Sequence, residues 1–262
     1  MSHSSAVDQF VGSQAIAKAA SAHAVAEYPN ESVGCVIESP DGLIYEALEN
    51  VSTNPTHSFA IGVHPDEPIL AIIHSHSLDV STAPSRVDMS SQQAMAVPWG
   101  ILHSTQNSAG EIHWFGDQLP AAPLLGRSFV SGHHDCWGLV RDVYRSQFDI
   151  VLQNIPRDEN WYKHEPPHGE ALDLLGHNRI IETGFTVIPQ SAAREGDVIL
   201  GKIGRTGVIN HCGLLVGNGL VLHQLEGRSS RREPVGPWMR YVQFVARHNS
   251  FMDRSAPKVT IR

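Results

Sequence analysis

Residues 210–223 read NHCGLLVGNGLVLH, two short apolar runs on either side of Gly217-Asn218-Gly219, with a histidine near the outer end of each. Short apolar runs bounded by glycine and asparagine are strand signals, and a glycine-rich loop between two of them makes a hairpin. Loop length decides where the histidines go. A two-residue Asn-Gly turn would put Leu214 opposite His223 and send the two imidazoles to opposite faces. A three-residue Gly-Asn-Gly loop puts Gly213 opposite His223 and makes His211 its diagonal neighbour on the same face, within reach of long side chains. The glycines supply the positive backbone angle that the longer loop needs, so this register is expected. Cys212 then points the other way and is a poor nucleophile candidate.

Upstream, residues 137–148 (WGLVRDVYRSQF) place apolar positions at helical period, with Cys136 just ahead and Asp135 available as a cap. A thiol at a helix N-terminus feels the positive end of the dipole, which favours the thiolate; a base must come from elsewhere in the chain. A buried small apolar cysteine with histidines engaged at the surface would give the same residue list. Residues 197–200 form a further strand candidate, and residues from Ser250 onward read as a loose tail. GKIGRTG suits a hairpin rather than a phosphate cradle, because no helix follows it.

The N-terminal half has its own pattern. Residues 6–27 are Ala-rich with helical spacing up to Pro29, residues 32–37 read as a strand, and Asp41-Gly42 marks a hairpin turn. Residues 69–76 (ILAIIHSH) form an apolar run ending in two histidines, and residues 85–97 look helical up to Pro98. His74 and His76, two apart on a strand, project from one face. Two imidazoles there take adjacent corners of a tetrahedral metal site, with Asp88 from the following helix as a third ligand and water as the fourth. Ser85-x-x-Asp88 is equally a capping box, which needs no metal.

The whole chain has 262 residues, long enough for two domains, and residues 118–128 (QLPAAPLLGRS) are the best linker candidate. The halves are therefore read as 1–117 and 129–249, with a tail at 250–262, each of α+β class. With 19 Lys and Arg against 27 Asp and Glu, the formal charge is −8, which gives no footprint for nucleic acid. Three cysteines form no disulfide framework. No window has the length of a membrane span, and no export signal is visible at the start.

HSHSLDVSTAPSRVD resembles the signature of the JAMM (MPN+) zinc peptidases, and Pro29-Asn30-Glu31-Ser32-Val33-Gly34 resembles the setting of that family's catalytic glutamate. The resemblance implies a mixed sheet with helices, zinc held by His74, His76 and Asp88, Glu31 as general base, and Ser85 assisting the oxyanion. Ser77 stands where that family usually has proline. DCWGLVRDVY, EGDVIL and NHCGLLVGNGLVLH together resemble the NlpC-type branch of papain-like cysteine peptidases, which cleave the peptide stems of bacterial cell walls. This implies a helix packed on an antiparallel sheet, with Cys136 as nucleophile, His211 as base and His223 as its orienter. Many members carry a tyrosine shortly before the cysteine; here Phe129 or the His133-His134 pair occupies that region.

The two motif sets in this order resemble the tail-tip assembly proteins of lambda-like bacteriophages. That implies a product made in the host bacterial cytoplasm and built into the virion tail tip, with other phage tail-tip proteins as partners and peptidoglycan stem peptides as substrate. A structural tail-tip subunit with one or both sites idle, or a free cell-wall lytic enzyme, stays open as an alternative.

Overall fold

The computed structural model describes residues 3–77, 80–163 and 172–261 and divides into two compact units, Met1–Pro120 and Ala121–Arg262. The first unit opens with helices α1 (His3–Val11) and α2 (Gln14–Glu27). The single helical stretch expected over 6–27 is broken at Gly12-Ser13, where the Ser13 hydroxyl accepts from the Ile16 amide and starts a new helix. Strands β1 (Val33–Ser39) and β2 (Gly42–Leu48) form the expected hairpin, with Ser39 opposite Gly42. Gly42 has a φ of 114°, a conformation that side chains resist.

Next come β3 (Ala71–Ser77), α3 (Arg86–Met95), β4 (Trp99–Ser104) and β5 (His113–Phe115), which give a five-stranded sheet in the order β2-β1-β3-β4-β5. β3 and β4 run parallel, with α3 as the crossover. Both sheet faces are covered, which is why 69–76 is continuously apolar rather than alternating. Val36, Ala71, Ile73 and Leu102 pack with Ile16, Ala20 and Ala24 of α2. Val33, Cys35, Ile72 and Ile101 form the second core layer with Trp99 and Phe115. His74 and His76 share the face of Ile72.

The second unit holds α4 (Cys136–Phe148), α5 (His177–Glu182), β6 (Phe185–Ile188), β7 (Val198–Gly201), β8 (His211–Val216), β9 (Leu220–His223), β10 (Arg231–Pro234) and β11 (Val242–His248). Its six-stranded sheet has the order β10-β9-β8-β7-β11-β6, and every pair is antiparallel. Val140, Val143 and Tyr144 of α4 pack on Leu200, Cys212, Leu214, Leu222 and Ala246. Ile199, Val221 and Val245 line the opposite face with Trp238. Each half is thus mixed helix and sheet.

Two stretches differ from expectation. At the start of the second unit, Arg127 donates through Nε to Gln224 (3.0 Å) and through its amide to Ser230 (3.2 Å), so the end of the linker candidate is pinned. The segment after Ser250 is not loose: Phe251 is buried against Tyr144 and Phe148, and the Val259 amide donates to Glu195 at 2.7 Å. One aromatic and a few aliphatic residues sufficed for docking, but they showed no periodicity by which to read it. Among the described residues no helix is long and apolar enough to cross a membrane.

Gly138, in the first turn of α4, is required by space. A Cβ there would collide with the carbonyl oxygen of His133. In an open helix Gly→Ala gains about 1 kcal/mol. Here Gly138→Ala should instead destabilise the C-terminal unit by about 1–3 kcal/mol, as overpacking does, read by tryptophan fluorescence during urea unfolding.

Candidate functional site

In the N-terminal unit the end of β3 faces the start of α3. His74 Nε2 lies 3.2 Å from His76 Nε2 and 3.5 Å from Asp88 Oδ1, and all three residues are buried. The side chains are held from behind. His76 Nδ1 donates to the Ser81 carbonyl at 2.6 Å, which fixes its tautomer and leaves the Nε2 lone pair bare. His103, opposite His76 on β4, donates to the Val80 carbonyl and holds the same loop. The His74 ring packs on Phe59 and Trp99, and its Nδ1 is buried without a hydrogen-bond partner, so Nε2 is its working atom. Burial, opposed by Asp88 and reinforced by His76, lowers the His74 pKa to about 4, so the ring is neutral at physiological pH.

Three ligand atoms within 4.8 Å of one another suit a small cation. A tetrahedral centre with Zn–N arms of 2.0–2.1 Å has edges of about 3.3 Å, which the His74–His76 separation matches. Asp88 divides its oxygens: Oδ2 accepts from the Ser85 amide at 2.8 Å while the Ser85 hydroxyl accepts from the Asp88 amide at 3.1 Å, and Oδ1 faces His74. The capping box and the ligand geometry coexist. Glu31, His76, Ser85 and Asp88 line one cavity of about 450 Å³. Burial first, then the Asp88 charge, push the Glu31 pKa up to about 8.

In the C-terminal unit Cys136 is the first residue of α4, behind the N-cap Asp135. Asp135 accepts from the amides of Gly138 (2.9 Å) and Gly132 (3.0 Å) and from Arg157 Nε and Nη2 (both 2.7 Å). On β8 and β9 the register is that of the three-residue loop, with Val216 opposite Leu220 and Leu214 opposite Leu222. His211 Nε2 and His223 Nδ1 are 3.2 Å apart. The Cys136 sulfur engages the His211 ring, and since Nε2 is used by His223, Nδ1 is the nitrogen left for it.

Cys212 points away from His211, as alternation demands, yet toward α4, where its thiol donates to the Cys136 sulfur. That hydrogen bond is the first cause of a Cys136 pKa held well below the usual thiol range; burial opposes it and His211 adds to it. Burial pushes Cys212 the other way, so it stays a protonated donor. The sequence had shown Cys212 as a bystander, because the position of α4 over β8 is not a local signal. Cys136, His211, Trp161 and Tyr162 line a cavity of about 420 Å³, and Phe129 lies on its wall. Tyr162, whose hydroxyl donates to Glu226 at 2.9 Å, brings a phenol to the cavity from the C-terminal side of the cysteine. His133 and His134 stack on each other.

The sequence of residues 116–248 matches the NlpC/P60 family, and residues 13–115 match the prokaryotic homologs of the JAB domain. Tail tip assembly protein K of Escherichia phage N15 is 31% identical over 244 residues, spanning 90% of this chain and 95% of that one. The chain belongs to the tail tip assembly protein K family. Its counterpart in Escherichia phage lambda is 31% identical over 184 residues, 70% of this chain and 83% of that one. The NlpC/p60 domain of peptidoglycan hydrolase SagA aligns with 47% of this chain and 87% of its own length, at 22% identity and a TM-score of 0.31. A JAB-like unit here precedes an NlpC/P60 unit.

In the NlpC/P60 unit, burial alone would raise the pKa of Asp135. Arg157 and the Gly138 and Gly132 amides outweigh it and hold the pKa below the usual carboxylate value. A depressed carboxylate contributes stability that is fully present above its unfolded pKa of about 3.9 and is lost as pH falls through the folded value. Arg157→Met, which strands that buried charge, should cost about 3–5 kcal/mol at pH 7. The deficit should shrink as pH falls, beginning where Asp135 protonates in the folded variant, whose pKa burial raises once Arg157 is gone, and ending at the depressed wild-type value, measured by denaturant unfolding at a series of pH values.

Proposed function

We propose that the NlpC/P60 unit is a cysteine endopeptidase acting on peptidoglycan stem peptides and the JAB-like unit a zinc-dependent peptidase or isopeptidase. The protein then serves at the virion tail tip, in tail-tip assembly, in cell-wall penetration or in both, beside other phage tail-tip proteins and after synthesis in the host cytoplasm. The observation that carries this reading is the buried line from the Cys136 sulfur through His211 to His223, with the thiol held below its ordinary pKa.

In the thiol site, Cys136 gives its proton to His211 Nδ1, and the imidazolium keeps its Nε2–H on His223. The thiolate adds to the scissile carbonyl, while the first turn of α4 favours both thiolate and oxyanion. His211 returns the proton to the leaving amine, and water later releases the acyl group from sulfur. His223, kept neutral by burial and by His211, with a pKa near 4, orients the base without competing for the proton.

In the JAB-like unit His74, His76 and Asp88 would hold zinc through Nε2, Nε2 and Oδ1. A zinc ion there supplies a water of lowered pKa and polarises a carbonyl. Glu31, which shares the cavity without being a ligand, would take the proton once a cation beside Asp88 offsets the negative charge and draws its raised pKa back down. The Ser85 hydroxyl, whose oxygen already accepts from the Asp88 amide, has its own hydrogen free for an oxyanion.

Digestion of purified cell wall, read by mass spectrometry, separates the two chemistries. Cys136→Ala should lower release of stem-peptide fragments by at least about 10³-fold and leave zinc content unchanged. His76→Ala or a chelator should remove the zinc and leave that release intact. Absence of cleavage by a wild-type chain with intact thiol and zinc would favour a structural tail-tip role with idle sites.

A further inference from the structure

The line of hydrogen bonds does not stop at His223. Its Nε2 is buried and faces Oε2 of Glu233 at 3.4 Å, long for a hydrogen bond but close for a charge. Glu233 lies on β10, where Arg231 stands opposite His223 and Glu233 opposite Val221, so both acidic and basic side chains share the histidines' face. The carboxylate is gripped twice more: Trp238 Nε1 donates to Oε2 at 2.9 Å, and Arg231 Nε pairs with Oε1 at 2.6 Å. The Trp238 indole in turn packs on His223 at 4.3 Å between ring centroids and on His211 at 5.7 Å.

Resting on the thiol-peptidase reading above, we propose that Glu233 is a positioning residue that extends Cys136, His211 and His223 into a four-membered line. Its carboxylate holds the proton of His223 on Nε2. His223 Nδ1 is then obliged to be the acceptor, His211 must present Nε2–H to it, and His211 Nδ1 is left as the only base facing the sulfur. When Cys136 loses its proton to His211, no further proton moves. The imidazolium gains a negative charge behind its neighbour, which stabilises the ion pair.

The competing account is a surface ion pair with Arg231 that happens to lie beside a histidine. The geometry argues against it. The Arg231 side chain is 41% exposed, and such pairs contribute little on their own, whereas the Trp238 N–H and the buried His223 Nε2 both converge on the oxygen that faces inward. Burial by itself would raise the Glu233 pKa. Trp238, His223 and Arg231 together keep it below the ordinary glutamate value, so the carboxylate is charged wherever the thiol chemistry runs.

The test uses the whole chain and iodoacetamide, with labelling of the Cys136 peptide followed by mass spectrometry from pH 4 to 9, so that it needs no substrate. The charged and titratable groups facing the pair are Arg231, Glu233, Asp135, Cys212 and Tyr162. Wild type should label with a midpoint well below the free-thiol value of about 8.5. Glu233→Gln keeps an acceptor oxygen but no charge, and should raise that midpoint by roughly half a unit to one unit while thermal unfolding of the unit is unchanged. Glu233→Ala, which removes the acceptor as well, should raise it at least as far. Arg231→Gln breaks the ion pair but spares the carboxylate, and should leave the midpoint in place or lower it.

An unchanged midpoint in both Glu233 variants, or an upward shift in Arg231→Gln equal to that of Glu233→Gln, overturns the role of Glu233 and leaves the peptidase reading standing. A wild-type midpoint at the free-thiol value overturns the peptidase reading itself.

Discussion

In the C-terminal unit the chemistry hangs on one buried carboxylate. Asp135 starts α4 by accepting the Gly138 amide, accepts the Gly132 amide ahead of the helix, and holds both fork nitrogens of Arg157. Arg157 is tied in turn to the carbonyls of Gly132 and Ile155. Cys136 is the next residue, so the sulfur inherits a position fixed by charge-assisted bonds on the turn that carries it. An apolar pair of similar volume could pack there as stably, since desolvating two ions offsets much of their attraction. It could not cap a helix. The ion pair buys placement, which is what a nucleophile that must meet an imidazole requires.

The N-terminal unit solves the same problem with a different helix. Ser85 and Asp88 close a capping box at the start of α3, and the oxygen of Asp88 not spent on the cap is turned toward His74. A ligand on a flexible loop would lose conformational freedom on binding a metal; a ligand already serving as a cap has lost it on folding. The two sites then diverge electrostatically. Around His74 burial favours neutral imidazole, the form that ligates. Around Cys136 the S–H of Cys212 and the ring of His211 favour a charged sulfur. One kind of scaffold, a helix N-terminus against a strand, serves opposite charge requirements according to which side chains it collects.

The chain yields its local physics readily. The apolar run before His74, the amphipathic period after Cys136 and the Gly-Asn-Gly loop each encode their element within a dozen residues, and the loop even sets the register of His211 against His223. What escaped is non-local. Arg157 lies 22 residues from Asp135 behind a stretch with no periodicity, and nothing there marks it as a partner. Arg231-Arg232-Glu233 has the composition of a solvated edge, so its reach to a buried histidine was invisible. Phe251 and Val259 sit in a polar, proline-containing segment that reads as tail until the surface that receives them is known. Charged residues escape a pattern-based reading because their role depends on what approaches them, whereas apolar periodicity reports a face whatever covers it.

Residues 211–213 compress the second site into three consecutive positions. His211 supplies the base of the proposed mechanism. Cys212, sent to the opposite face by the strand's alternation, supplies a hydrogen-bond donor to the Cys136 sulfur from the helix side. Gly213 contributes by lacking a side chain: a Cβ there would lie 2.6 Å from Val221 Cγ2 and 3.2 Å from His223 Cβ. A larger residue there would need the Val221 side chain to turn and His223 to give by a few tenths of an ångström. The close pairing beside the histidines thus suits a residue with no side chain. A sulfur acidified from both sides of one strand draws on all three positions: substituting Cys212 would remove a donor, and filling Gly213 would press on His223. Neither change would touch a reacting atom.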